Sequence, residues 1–146
     1  MGLKSLRLAS WTFFLLFFGE ALIAAPKLRL ETTAIGPISI AVGQNGPAQS
    51  VRAYNLGDGS LNLAVVSSVD WLTPSVGAPA PCGLPGGTCV PINLSLQTAG
   101  AAKGIFTAVV TVSDPNAVDA PQSISGEMRS VEVAEPEPQA SESVSA

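Results

Sequence analysis

The chain contains no histidine and only two cysteines. Without an imidazole, the usual Ser–His and Cys–His nucleophile–base sets have no base. A zinc site built from His and Cys has too few ligands. Cationic residues are scarce as well: seven Lys and Arg stand against eleven Asp and Glu, for a formal net charge of −4. That balance argues against a nucleic-acid partner, whose affinity rests largely on Lys and Arg at phosphates. It also gives little pull towards an anionic membrane surface. Aromatic residues make up 5% of the chain, and Trp11, Phe13, Phe14, Phe17 and Phe18 crowd into its opening stretch. Beyond that stretch no helical 3.6-residue period persists, no internal repeat is visible, and no cofactor motif is present.

The opening stretch is a targeting signal in form. Lys4 and Arg7 precede an apolar run from Leu8 to Phe18, and Gly19-Glu20-Ala21 and Leu22-Ile23-Ala24 follow at cleavage-type spacing. The run is shorter than the about 20 residues that a membrane span needs. Residues 1–25 are therefore expected to be a signal peptide. The mature protein is then secreted, periplasmic or on the cell surface, with no membrane attachment after signal removal. Its remaining aromatics are Tyr54, Trp71 and Phe106.

What is present is strand-type alternation between turns. Val90, Ile92, Leu94 and Leu96 alternate with Pro91, Asn93, Ser95 and Gln97, a period of two that marks a half-buried strand. Across a glycine-bearing connection, Phe106, Ala108, Val110 and Val112 form a second inner row, reached by an antiparallel or sheet-crossing return. Ile38, Ile40 and Val42 form another. Val51 and Ala53 point inward, with Arg52 and Tyr54 outward, and Leu61, Leu63 and Val65 follow. Asp58-Gly59 between these last two runs signals a hairpin. Residues 26–33 read as an edge strand or a loose arm. The Pro/Gly/Ala loop from Val76 to Gly87 is long enough to cross between sheets. Ile124, Gly126, Met128 and Ser130 share one face of a last strand, which Gly126 weakens because it packs nothing. The fold class expected is all-β: an immunoglobulin-like two-sheet sandwich of about seven strands over residues 35–131. Residues 132–146 are acidic and rich in Pro and Ser, and are expected to form a disordered tail.

Few residues offer chemistry. Cys82 and Cys89 form a lone pair in an exported chain, which predicts a disulfide. Closing so short a loop stabilises by roughly 2.5 kcal/mol in the chain-entropy treatment. A Ser–Lys dyad would have to use Lys27 or Lys103, in lead-in and turn positions. Asp58, Asp70, Asp114 and Asp119 offer carboxylate pairs for glycoside hydrolysis, but their turn contexts read first as backbone capping. Asp114, Asn116 and Asp119 supply oxygen ligands for a calcium reading, without the further ligands of an EF-hand loop. Asn93-Leu94-Ser95 matches a glycosylation sequon in mid-strand. Trp71 reads as a plug between sheets before it reads as an exposed sugar platform. Tyr54, with Arg52 two residues away on the same face, is the better candidate for ligand contact.

Three segments in order carry a resemblance. Gly43-Gln44-Asn45-Gly46-Pro47, with Val51 and Tyr54-Asn55-Leu56-Gly57-Asp58-Gly59-Ser60-Leu61 behind it, resembles the opening of BACON-type bacterial immunoglobulin-like domains. Trp71-Leu72-Thr73-Pro74-Ser75-Val76-Gly77 is similar to their tryptophan segment. The run from Ala99-Gly100 through Gly104-Ile105-Phe106-Thr107 to Val112 is similar to their closing strand. The resemblance spans about Ile38 to Ser125. It implies a seven-stranded sandwich, repeated in or attached to large secreted bacterial proteins, with a proposed carbohydrate- or mucin-binding role. The cysteine-bearing insert and Gly126-Glu127-Met128-Arg129 depart from the family pattern. The sequence leaves open whether such a domain, alone with an acidic tail, is a piece of a longer gene product.

The function expected is a non-catalytic exported module, not an enzyme. It acts as a spacer or a protein-interaction domain whose partners are neighbouring domains or another protein. The alternative is a carbohydrate-binding module with glycan partners, using Tyr54, Arg52 and Trp71.

Overall fold

The computed structural model describes residues 25–133. The expected signal peptide apart from Ala25, and the expected tail apart from Glu132 and Val133, lie outside the described residues. Nine strands follow in chain order: β1 (Leu28–Leu30), β2 (Ala34–Ala41), β3 (Gln49–Asn55), β4 (Ala64–Ser67), β5 (Leu72–Val76), β6 (Ala80–Pro81), β7 (Thr88–Leu96), β8 (Gly104–Ser113) and β9 (Gln122–Val131). They form two sheets. The first has the order β1-β3-β7-β5, with β6 also paired to β7; the second has the order β2-β9-β8-β4. Neighbours are antiparallel except β2 and β9, which run parallel. In immunoglobulin lettering these are the A-B-E-D and A′-G-F-C sheets. The chain is an all-β immunoglobulin-like sandwich.

The period-two rows build the core as their spacing requires. Val51 and Ala53 of β3, Leu72 of β5, and Val90, Ile92, Leu94 and Leu96 of β7 line the first sheet. Ala108, Val110 and Val112 of β8 face them with Ile124 and Met128 of β9 and Ile40 of β2. Phe106, Leu61, Leu63 and Val65 pack against this cluster while partly buried. The two strands beyond the expected seven are β6 and β1. Leu28 and Leu30 of β1 are buried in the core, so the packed structure begins upstream of residue 35.

Three local expectations change. Val42 does not join the inner row: β2 stops at Ala41, Gly43 turns the chain at φ +82°, and Val42 is 46% exposed. Asp58-Gly59 does not close a hairpin. Both edges of β3 are taken by β1 and β7, so the chain must cross to the second sheet, where β4 pairs with β8. The loop after Val76 does the reverse and stays in the first sheet, because β5 and β6 share one edge of β7. At Gly126 a Cβ would meet Ile35 carbons of β2 at 3.5 and 3.6 Å, ordinary contact distances, so the glycine leaves methyl-sized room in the inner row.

Polar side chains tie the sandwich ends. Thr98, which is buried, donates from Oγ1 to the Gln44 carbonyl at 2.9 Å and accepts from the Gly46 N–H at 3.0 Å. Gly46 has no room for a side chain, because a Cβ there would lie 2.5 Å from Ile40 Cδ1.

Candidate functional site

The alternation of β3 puts Arg52 and Tyr54 on the outer face of the first sheet. Tyr54 stands opposite Arg29 on β1 and Cys89 on β7, and Arg52 stands opposite Pro91. Arg52 is already engaged. Its Nε donates to Glu31 Oε2 at 2.8 Å, and Nη2 donates to Oε1, a two-pronged pair. Hydrogen bonding from the Arg52 side chain, opposed by desolvation and aided by its charge, holds the Glu31 carboxyl below the ordinary glutamate range. The same bond, with the carboxylate charge, raises Arg52.

The sign follows from the lowered value. The contribution of the pair is present above the pH range of an unfolded glutamate, and it is lost as pH falls through the lowered folded pKa. An NMR titration should find the Glu31 midpoint below that of an ordinary glutamate, and Arg52→Gln should move it back up. An unmoved midpoint in the variant would show that Arg52 does not set it.

Trp71 lies elsewhere. It precedes β5, accepts the Gln97 N–H on its carbonyl at 2.7 Å, and is half-buried along a seam with Ile35, Ile38, Leu96 and Met128. Tyr54 pairs with Cys89, near the start of β7, whereas Trp71 sits beside its end. Seven strand residues separate those points by about 23 Å. The structure keeps Tyr54 beside Arg52 but does not bring Trp71 to them.

Two of the acidic candidates, Asp114 and Asp119, act as caps. Asp114 is 4% exposed; its Oδ2 accepts the Asn62 N–H at 2.6 Å and its Oδ1 accepts the Asn116 N–H at 2.8 Å. Asp119 Oδ1 accepts the Leu28 N–H at 2.8 Å, and Oδ2 pairs with Arg29. Gln122 Nε2 donates to the Leu28 carbonyl at 2.6 Å, completing the closure of β1. Asp58 and Asp70 are exposed in turns, and Lys103 reaches Glu132 at 3.7 Å. Among the described residues no three His, Cys, Asp or Glu side chains gather as a metal site.

Cys82 and Cys89 are bonded, with Cα atoms 5.8 Å apart. The disulfide closes the β6–β7 hairpin, whose tip reaches the β3–β4 turn. Between them lies a cleft of about 300 Å³ that the sequence did not announce. Leu61, Pro79 and Val90 give it apolar walls, Ser60 and Thr88 line it as well, and no charged residue does. The cleft is near the lower end of small-ligand pocket sizes. Its Asn55 is fully committed: Oδ1 accepts the Lys27 and Gly57 N–H groups, both at 2.8 Å, and Nδ2 donates to the carbonyls of Asp58 and Gly59. Only the glycine-rich turn chemistry at Asn55–Ser60 and Gly83–Gly87 hinted at two loops held this close. Neither protein-family models nor curated protein sequences match the chain.

Proposed function

We propose that the chain is an exported, non-catalytic immunoglobulin-like module that spaces neighbouring domains or docks a partner protein outside the cytoplasm. One observation carries this reading: Arg52, Asp114, Asp119 and Trp71, on which a reaction or a sugar site would draw, are occupied within the fold. Arg52 is held by Glu31, and the Asp114 and Asp119 carboxylates are used by backbone N–H groups. Trp71 is packed into a seam. The resemblance to BACON-type domains belongs with this proposal, as does bacterial origin. The bonded cysteine pair supports an oxidising compartment. Among the described residues no helix is long and apolar enough to cross a membrane.

A carbohydrate-binding module is the second reading. Half-buried Tyr54 and the uncharged cleft with Ser60 and Thr88 favour it. Glycan-array and calorimetric screens of the exported protein decide between the two. Absence of saturable binding is expected; saturable binding abolished by Tyr54→Ala or Trp71→Ala would replace the spacer reading. Mass analysis of the exported chain should place its N-terminus close to Ala25. Recovery of an intact Met1 from the exterior would remove the signal-peptide part of the proposal.

A further inference from the structure

The disulfide hairpin does not rest on the sandwich through its cysteines alone. Gly86, at its tip, has φ +87°, and a Cβ there would lie 2.5 Å from the Asn55 carbonyl oxygen. Only glycine lets the tip lie this close on the β3–β4 turn. The hairpin is held in shape by the Cys82 N–H on the Gly87 carbonyl and the Gly87 N–H on the Leu84 carbonyl, both at 3.0 Å.

From Asn55 the contacts continue to the N-terminal lead. Asn55 Oδ1 accepts the Lys27 N–H, and the Leu56 N–H donates to the Lys27 carbonyl at 2.9 Å. A Cβ on Gly57 would collide with the Ala25 carbonyl, so the lead lies directly over that glycine. A further bond, from the Val118 N–H to the Pro26 carbonyl, is 3.1 Å. From Leu28 onward the chain is held separately by Asp119 and Gln122.

We propose that the Cys82–Cys89 disulfide is a redox latch that fixes residues 25–27 against the sandwich through Gly86 and Asn55. Oxidised, it seats the hairpin on the β3–β4 turn, and the turn in turn holds the lead. An external dithiol opens it. One thiolate of the reagent attacks the half-buried Cys82 sulfur; Cys89, which is 3% exposed, leaves as a thiolate and takes up a proton. The second thiol of the reagent then displaces Cys82 as a thiolate, which is protonated in turn. The protein ends with two thiols and the reagent with one disulfide. The hairpin lifts from Asn55, the cleft loses one wall, and the lead keeps the Val118–Pro26 bond as its tie independent of that turn. The second sheet stays folded on its long β8–β9 ladder, from Gly104↔Ser130 to Val112↔Gln122.

Backbone ¹⁵N relaxation of the whole protein tests this. It is measured oxidised, after reduction with dithiothreitol, and in the Cys82→Ser/Cys89→Ser variant. Order parameters at Lys27, Leu56, Gly57 and Gly86 should fall from about 0.85 to below about 0.6 in both reduced forms, while Val110, Ile124 and Met128 keep rigid values. Gly86→Ala, with the disulfide intact, should loosen Lys27 and Gly57 in the same way. Three results would overturn the latch. The first is a loosened hairpin over an unchanged Lys27 and Gly57. The second is loosening of the second sheet in step with the first, which would make the disulfide a general staple. The third is an oxidised Gly86→Ala protein whose lead stays rigid.

Discussion

Ile92→Ala should lower the unfolding free energy by about 3 kcal/mol, the middle of the range for large aliphatic side chains cut back in a packed core. Ile92 has no exposed surface and sits halfway along β7, the strand flanked on both sides within the first sheet. Val51 stands opposite it on β3 and Val76 on β5. Its neighbours belong to two ladders and to the facing sheet, so they cannot all move inward to fill the space. The loss therefore combines transfer of the missing atoms with a residual cavity. For a domain whose total stability is of the order of 5–15 kcal/mol, that is a large fraction. Urea unfolding should show the midpoint shifting down with the slope unchanged. Ile92→Val should cost only about 1 kcal/mol. A fall below about 1 kcal/mol for the alanine variant would mean that β7 is not packed as described.

Asp114→Ala should cost about 2 kcal/mol, the second largest effect, although it removes no apolar surface. The Asp114 carboxylate joins two backbone donors, Asn62 ahead of β4 and Asn116 in the turn after β8. Deleting it leaves both N–H groups without their acceptor at a part-buried site. Leaving buried donors unsatisfied costs more than making the bonds contributes. The loss should be the same in calcium and in chelator, measured by thermal or denaturant unfolding. A difference between the two conditions would return the aspartate to the role of a metal ligand.

Strand faces were legible from the amino-acid order because alternation is a local property. Val90 through Leu96 and Ala108 through Val112 declare their buried side without reference to anything distant. Sheet membership was not legible in the same way. Whether β4 returns beside β3 or crosses over depends on which edges are free, and the edge of β3 was filled by β1, a three-residue strand from a charged lead. Asp58-Gly59 carries the chemistry of a tight turn in either case. The cysteine pairing was readable from parity and the expected compartment, whereas the position of its hairpin over Asn55 was not. Arg52 looked available because its partner, Glu31, lies in a segment with no periodicity of its own. The cleft escaped notice for a related reason: glycine, serine, threonine and proline line it, and none of them signals a ligand by its type.

Tension drawn between Ala34 and Val131 would load the sandwich along its β2–β9 contact. These strands run parallel, from Ala34↔Ser125 to Ala41↔Val131. A pull on the start of one and the finish of the other slides them past each other in shear. The hydrogen bonds along that contact then share the force and yield together, whereas an antiparallel hairpin pulled at its open end gives way one bond at a time. A chain that changes sheets between β1 and β2 thus makes a sandwich that resists stretching between the start of β2 and the finish of β9.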